Sequence, residues 1–172
     1  VLSAVPGVYV QEEDGYGLRP NIGMRGTGTG RNDKISVMED GVLVAPAPYS
    51  APSAYYFPTM GRMESIEVLK GAASVKYGPR TTGGVLNLVS RSLPTEGSKG
   101  LLNAELGSDG FYKGHAYFGK KKNNAAGLVE VFTYGADGFK DLPVGSDNTG
   151  FEKNDFLLKF GFDFGDNEAH SL

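Results

Sequence analysis

The groups able to do chemistry are few and far apart. The two histidines, His115 and His170, are fifty-five positions apart, and no His-Glu-x-x-His spacing sets a pair of imidazoles on one helical face to hold zinc. Each reads as a surface or lumen-lining residue rather than a metal ligand. Glu64 and Glu67 look like an acid pair, yet carboxylates at a strand start are ordinarily solvated or paired with a neighbouring cation. The chain has no cysteine, which excludes disulfides, zinc-thiolate sites and a thiol nucleophile. No Gly-x-Ser-x-Gly elbow occurs. The run Gly26-Thr27-Gly28-Thr29-Gly30-Arg31 tempts a phosphate-loop reading and fails on spacing. Position 31 is Arg where the dinucleotide fingerprint needs Gly, and no Gly-Lys-Ser/Thr ending follows. These residues predict neither an enzyme nor a bound cofactor or metal, and the glycine run reads best as a flexible turn between strands.

Recognition is better provided for than catalysis. Between Ala45 and Pro58 the chain carries four prolines, three tyrosines and one phenylalanine, so regular helix and central strand are both forbidden. A stiffened loop rich in Tyr suits a binding surface, because each ring offers contact area and a hydroxyl at low entropic cost. Tyr49, between two prolines, is expected to be exposed. Tyr55, Tyr56 and Phe57 either join such a surface or pack the loop onto its own domain.

The elements that position these residues are strands. Ile35 to Met38, Ile66 to Leu69 and Val85 to Val89 are short β-branched runs separated by Gly and Pro. Val5-Pro6-Gly7-Val8-Tyr9-Val10 is a turn feeding a further strand, and Asn21 to Gly26 brings Arg25 beside a turning glycine. Asp40-Gly41, between Ile35–Met38 and Val42–Val44, is a strong hairpin signal. Helical turns are expected at Met60–Glu64 and at Gly71–Val75. After Pro94 come strand candidates at Leu101–Leu106, Tyr112–Phe118, Leu128–Tyr134 and Asp155–Phe164. In the last, Phe156, Leu158, Phe160, Phe162 and Phe164 face one way, with Lys159, Gly161 and Asp163 on the other. That alternation fits a transmembrane β-barrel or a half-buried soluble sheet. No apolar run approaches the roughly 20 residues of a membrane helix, so any crossing is by strands. At 172 residues, with 26 glycines and a net charge of -3, the chain suits one domain or one domain plus part of another and has no basic footprint for nucleic acid.

In order and spacing, Met24-Arg25-Gly26, Asp40-Gly41-Val42, Arg62-Met-Glu-Ser-Ile-Glu-Val-Leu-Lys-Gly71, Tyr77-Gly78 and Gly83-Gly84-Val85-Leu86-Asn87 resemble the plug domain of TonB-dependent outer-membrane receptors, particularly those for ferric citrate and ferric siderophores. The resemblance implies an α+β plug domain of short mixed strands and helical turns over residues 1–94, without its N-terminal part, and the first antiparallel strands of an incomplete transmembrane barrel over residues 95–172. Four strands cannot close a barrel, so a piece of a longer protein is expected.

Three plug loops, Asp14–Pro20, Thr27–Asp33 and Ala45–Pro58, then look toward the medium. Arg19 and Arg31 become donors to an anionic ferric chelate, or else solvated loop charges, and Asn32, Tyr49 and Tyr55 become orienting hydrogen-bond groups. Arg25 and Lys70 stand where the family tends to place basic residues paired with carboxylates on the barrel wall. Lys70 replaces a more frequent Arg, which weakens bidentate geometry.

The implied protein lies in the outer membrane of a Gram-negative bacterium, in contact with its lipid. Its cargo is ferric citrate or another ferric siderophore, and its energy comes from a TonB-type coupling protein through an N-terminal box absent here. Haem, cobalamin or an oligosaccharide are other cargoes for the same fold. A stand-alone plug-like binding module is the rival reading, and an enzyme using the glycine run for a nucleotide is the weakest.

Overall fold

The computed structural model describes residues 2–12, 15–30, 33–44, 56–138, 149–164 and 169–171. The chain divides into two compact units, Val1–Arg91 and Ser92–Leu172.

In the first unit β1 (Val8–Glu12) and β2 (Pro20–Met24) form an antiparallel hairpin in register from Val8↔Met24 to Glu12↔Pro20. A second, four-stranded sheet contains β3 (Ile35–Glu39), β4 (Val42–Leu43), β5 (Met63–Leu69) and β6 (Gly84–Ser90) in the order β4-β3-β6-β5. The central strands β3 and β6 run parallel, with Ile35 opposite Gly84 and Glu39 opposite Leu88. Both flanking pairs are antiparallel. Central position explains composition: Ile35, Val37, Leu86 and Leu88 are buried without the polar alternation of a one-sided strand. They form one core with Val8, Ile22, Met24 and Phe57.

Phe57 therefore settles one open alternative, since it packs its own domain while the neighbouring Tyr56 is exposed. Glycine lets the strands meet. Gly84 has φ +145, and a Cβ there would lie 2.7 Å from the Leu69 carbonyl oxygen and 2.8 Å from Met24 Sδ.

Among the described residues the helical pieces are 3-10 turns, at Leu2–Ala4, Met60–Arg62 and Ala72–Tyr77. The turn expected over Met60–Glu64 is shorter because β5 begins at Met63, where a bulge between Met63 and Ser65 keeps Met63 opposite Ser90. The turn expected at Gly71–Val75 extends to Tyr77. Ser74 helps to hold it, its hydroxyl donating to the carbonyls of Gly71 at 2.7 Å and Thr81 at 2.9 Å.

The second unit is an antiparallel meander in the order β11-β10-β9-β8-β7. Its strands are β7 (Ser98–Leu106), β8 (Tyr112–Lys122), β9 (Ala125–Ala136), β10 (Phe151–Asp163) and β11 (Ala169–Ser171). All four expected strands exist, and each is longer than expected, although β10 ends at Asp163 and leaves Phe164 just beyond it. Charged and small residues such as Lys120, Lys122, Gly100 and Ala125 are carried in the ladders by backbone pairing. The short β11, which holds His170, pairs with Gly161–Asp163 where the sequence reads as a tail.

Register sorts the side chains onto two faces. Phe156 opposes Val131, which opposes Ala116, which opposes Leu102; Leu158 opposes Val129, which opposes Phe118. This face is exposed and apolar, and Phe156, Leu158, Phe160, Phe162 and Phe164 are between 51% and 70% accessible. The opposite face carries the ion pairs Lys113–Glu105 at 2.8 Å and Lys121–Asp163 at 2.5 Å.

Candidate functional site

Three small constructions in the first unit fix its turns and strand ends. The first is the glycine run. Gly23 lies so close to the chain beyond it that a Cβ would sit 2.0 Å from the Gly28 carbonyl oxygen. The segment after β2 thus folds back over that strand. Thr27 locks the reversal: its hydroxyl donates to the Met24 carbonyl at 2.9 Å and accepts from the Met24 N–H at 3.2 Å. Thr29 then reaches β1, donating to Gln11 Oε1 at 3.0 Å. This contact sets the glycine run beside the hairpin whose connection carries Arg19, so two of the three expected recognition loops start from neighbouring positions. Arg19 is exposed. Arg31, Asn32, Tyr49 and Tyr55 lie outside the described residues.

The second construction surrounds the Pro6-Gly7 turn. The Arg25 N–H donates to the Gly7 carbonyl at 3.1 Å, and the Lys70 ammonium donates to the Pro6 carbonyl. Arg25 has φ 54. Both side chains are exposed, and the two basic residues singled out in the sequence are brought to one turn.

The third is a polar knot at the other end of β3 and β6, which the sequence does not announce. Asp40 takes φ 50 and points its carboxylate at the end of β6. Oδ1 accepts from the Ser90 N–H at 2.8 Å and Oδ2 from the Ser90 hydroxyl at 2.5 Å. The Gly41 N–H donates to Asn87 Oδ1 at 2.9 Å, and Asn87 Nδ2 donates to Glu67 at 2.9 Å. Beside it the buried Arg62 donates through Nη2 to Glu39 at 2.7 Å. The Asp-Gly pair is thus both a hairpin turn and a side-chain stitch. Glu67, one of the two acids at the start of β5, is engaged by Asn87. The exposed bridge from Arg80 to Asp33, 3.2 Å long, stabilises little.

In the second unit His115 departs from expectation. It is 7% exposed and its Nε2 lies 2.7 Å from Oε1 of Glu130, itself 1% exposed. The imidazole N–H donates to the carboxylate. The pair is diagonal across β8 and β9, since His115 opposes Phe132 and Glu130 opposes Tyr117. The rings of Tyr117 and Phe132 stand 6.1 Å and 5.1 Å from the imidazole. Burial follows from this aromatic setting, which a single His in a strand pattern does not reveal. No group of three or more His, Asp or Glu that could hold a metal ion occurs among the described residues.

The first unit is a mixed sheet with tight 3-10 turns and the second an antiparallel meander with one apolar and one charged face, the arrangement expected of a plug domain followed by strands of barrel type. Residues 1–85 match the TonB-dependent Receptor Plug Domain family. A vitamin B12 transporter, BtuB of Photobacterium profundum, is 34% identical over 175 residues, covering 100% of this chain and 28% of that protein. The ferric yersiniabactin uptake receptor FyuA from Yersinia pestis has a TM-score of 0.71 at 20% identity, covering 92% of this chain and 25% of that one. The unliganded ferric citrate transporter FecA has a TM-score of 0.51 at 20% identity, covering 94% of this chain and 28% of that one. Residues 1–85 thus belong to the TonB-dependent receptor plug family, and the chain spans about a quarter of the length of the three proteins named here.

Proposed function

We propose that this chain is the plug and first barrel strands of an outer-membrane transporter of a Gram-negative bacterium that takes up a metal chelate, driven by a TonB-type coupling protein. The observation that carries the membrane placement is the two-faced meander. Phe156 to Phe164 spans on the order of 25 Å of strand, the scale of the apolar band of an outer-membrane barrel. Connection lengths orient it. β8 and β9 are joined by Asn123-Asn124 alone, while residues 137–150 separate β9 from β10. Short turns belong to the periplasmic side and long loops to the outside.

For the cargo, the first reading is ferric citrate or another carboxylate siderophore. Arg19 and Arg31 supply charge-assisted donors to an oxygen-rich anion, Asn32, Tyr49 and Tyr55 orient it, and Arg25 and Lys70 hold the plug to carboxylates of the barrel wall. The name of the Photobacterium profundum relative favours cobalamin as a second reading. Uptake of radiolabelled iron citrate and of radiolabelled cobalamin, in cells lacking their own receptors and expressing the full protein, separates the two. Coupling-dependent iron accumulation is expected. Accumulation of cobalamin alone transfers the assignment, and accumulation of neither overturns both named cargoes.

A further inference from the structure

Three consecutive lysines end β8, and the strand period splits them. Lys121 turns to the charged face, where Asp163 neutralises it at 2.5 Å. Lys120 and Lys122 share the apolar face and are exposed, and neither side chain makes an ion pair or hydrogen bond among the described residues. Across the sheet Lys120 opposes Gly127, which opposes Phe160, and Lys122 opposes Ala125, which opposes Phe162. The two cations therefore stand across a strip of β9 with small side chains from two phenylalanines, with Phe118 next to Lys120 on their own face. Ser98 faces Lys120 from β7, and no carboxylate on β7, β8, β9 or β10 shares this end of the face; the exposed Glu96 lies just before β7, where the Lys121 N–H donates to the Gly97 carbonyl at 2.8 Å, and it makes no ion pair with either lysine among the described residues. At the far end the corresponding positions are Thr133, Asn154 and Glu152, so among the described strand residues the outward lysines stand only at the end with the two-residue turn.

We propose that Lys120 and Lys122 bind the phosphate of an anionic phospholipid in the periplasmic leaflet, with Phe118, Phe160 and Phe162 against its acyl chains. This rests on the membrane placement above. Two ammonium groups beside apolar surface satisfy both parts of such a lipid: the stems lie along the hydrocarbon and the heads reach the phosphate layer. Charge complementarity selects an anionic headgroup over a zwitterionic one, by roughly fivefold for each lysine.

The test is native mass spectrometry of the full receptor titrated with phosphatidylglycerol or phosphatidylcholine, alongside insertion into phosphatidylcholine vesicles. Wild type is expected to retain phosphatidylglycerol about ten- to thirtyfold better than phosphatidylcholine. The Lys120→Gln/Lys122→Gln protein loses that preference, and Lys159→Gln, on the other face, keeps it. Normal insertion with equal retention of the two lipids, or a preference undiminished in the double variant, overturns the site and leaves the membrane placement standing. Failure to insert into phosphatidylcholine vesicles overturns the placement itself. Glycerol phosphate binding as tightly as phosphatidylglycerol overturns the lipid assignment.

Discussion

Asp40 shows how much one side chain can hold. It occupies a backbone conformation that most residues resist and closes two hydrogen bonds onto Ser90. Asp40→Ala loses both bonds and keeps the strained φ, so a loss of roughly 2–4 kcal/mol is expected. Asp40→Asn tolerates the conformation and retains one acceptor, at about half that cost. Urea unfolding midpoints in the order wild type, Asn, Ala check it, and equal midpoints for the two variants refute the stitch. Gly23→Ala is the steric counterpart. Its Cβ would meet the Gly28 carbonyl oxygen at 2.0 Å, so the glycine run must move off β2 and Thr29 must leave Gln11. Weaker cargo binding with near-normal membrane insertion is the expected result, and unchanged cargo affinity would separate this loop from recognition. At His115–Glu130 the expectation concerns coupling. His115→Phe leaves a buried carboxylate without its imidazole donor and costs about 3 kcal/mol or more, while the added change Glu130→Leu recovers part of the loss. A double-mutant cycle by thermal or urea unfolding measures it.

At the scale of elements, legibility followed periodicity. The Phe156 to Phe164 alternation announced β10 and its faces, and the β-branched runs at Ile35 and Val85 announced the central strands. What stayed hidden depends on contacts distant in sequence: the parallel pairing of β3 with β6, the knot joining Asp40 to Ser90, and the burial of His115 among rings from neighbouring strand positions. Arg62 ends the expected turn, but nothing nearby in sequence names Glu39 as its partner. Arg25 and Lys70 are singled out by motif position, and the turn they share is visible only in the fold. The two faces of β10 make a direct prediction. Leu158→Arg, in the apolar band, is expected to lower stability in vesicles by about 2–4 kcal/mol, whereas Lys159→Gln on the other face has a much smaller effect. Equal losses in urea titrations of vesicle-inserted protein would contradict the assignment of faces.

At the scale of the whole molecule, the strand directions decide how the first unit answers a mechanical load. Val8 at the start of β1 lies opposite Met24 at the end of β2. Tension applied between these two points parts the hairpin like a zip, one rung at a time and at low force. The parallel pair β3 and β6 is loaded differently. Ile35 and Ser90 lie toward opposite ends of that pair, so tension between them strains its rungs together in shear, with the Asp40 stitch sharing the load. A pull arriving from the amino-terminal side therefore meets a compliant fuse first and a stiff anchor behind it, so the hairpin can be drawn out while the central sheet stays folded.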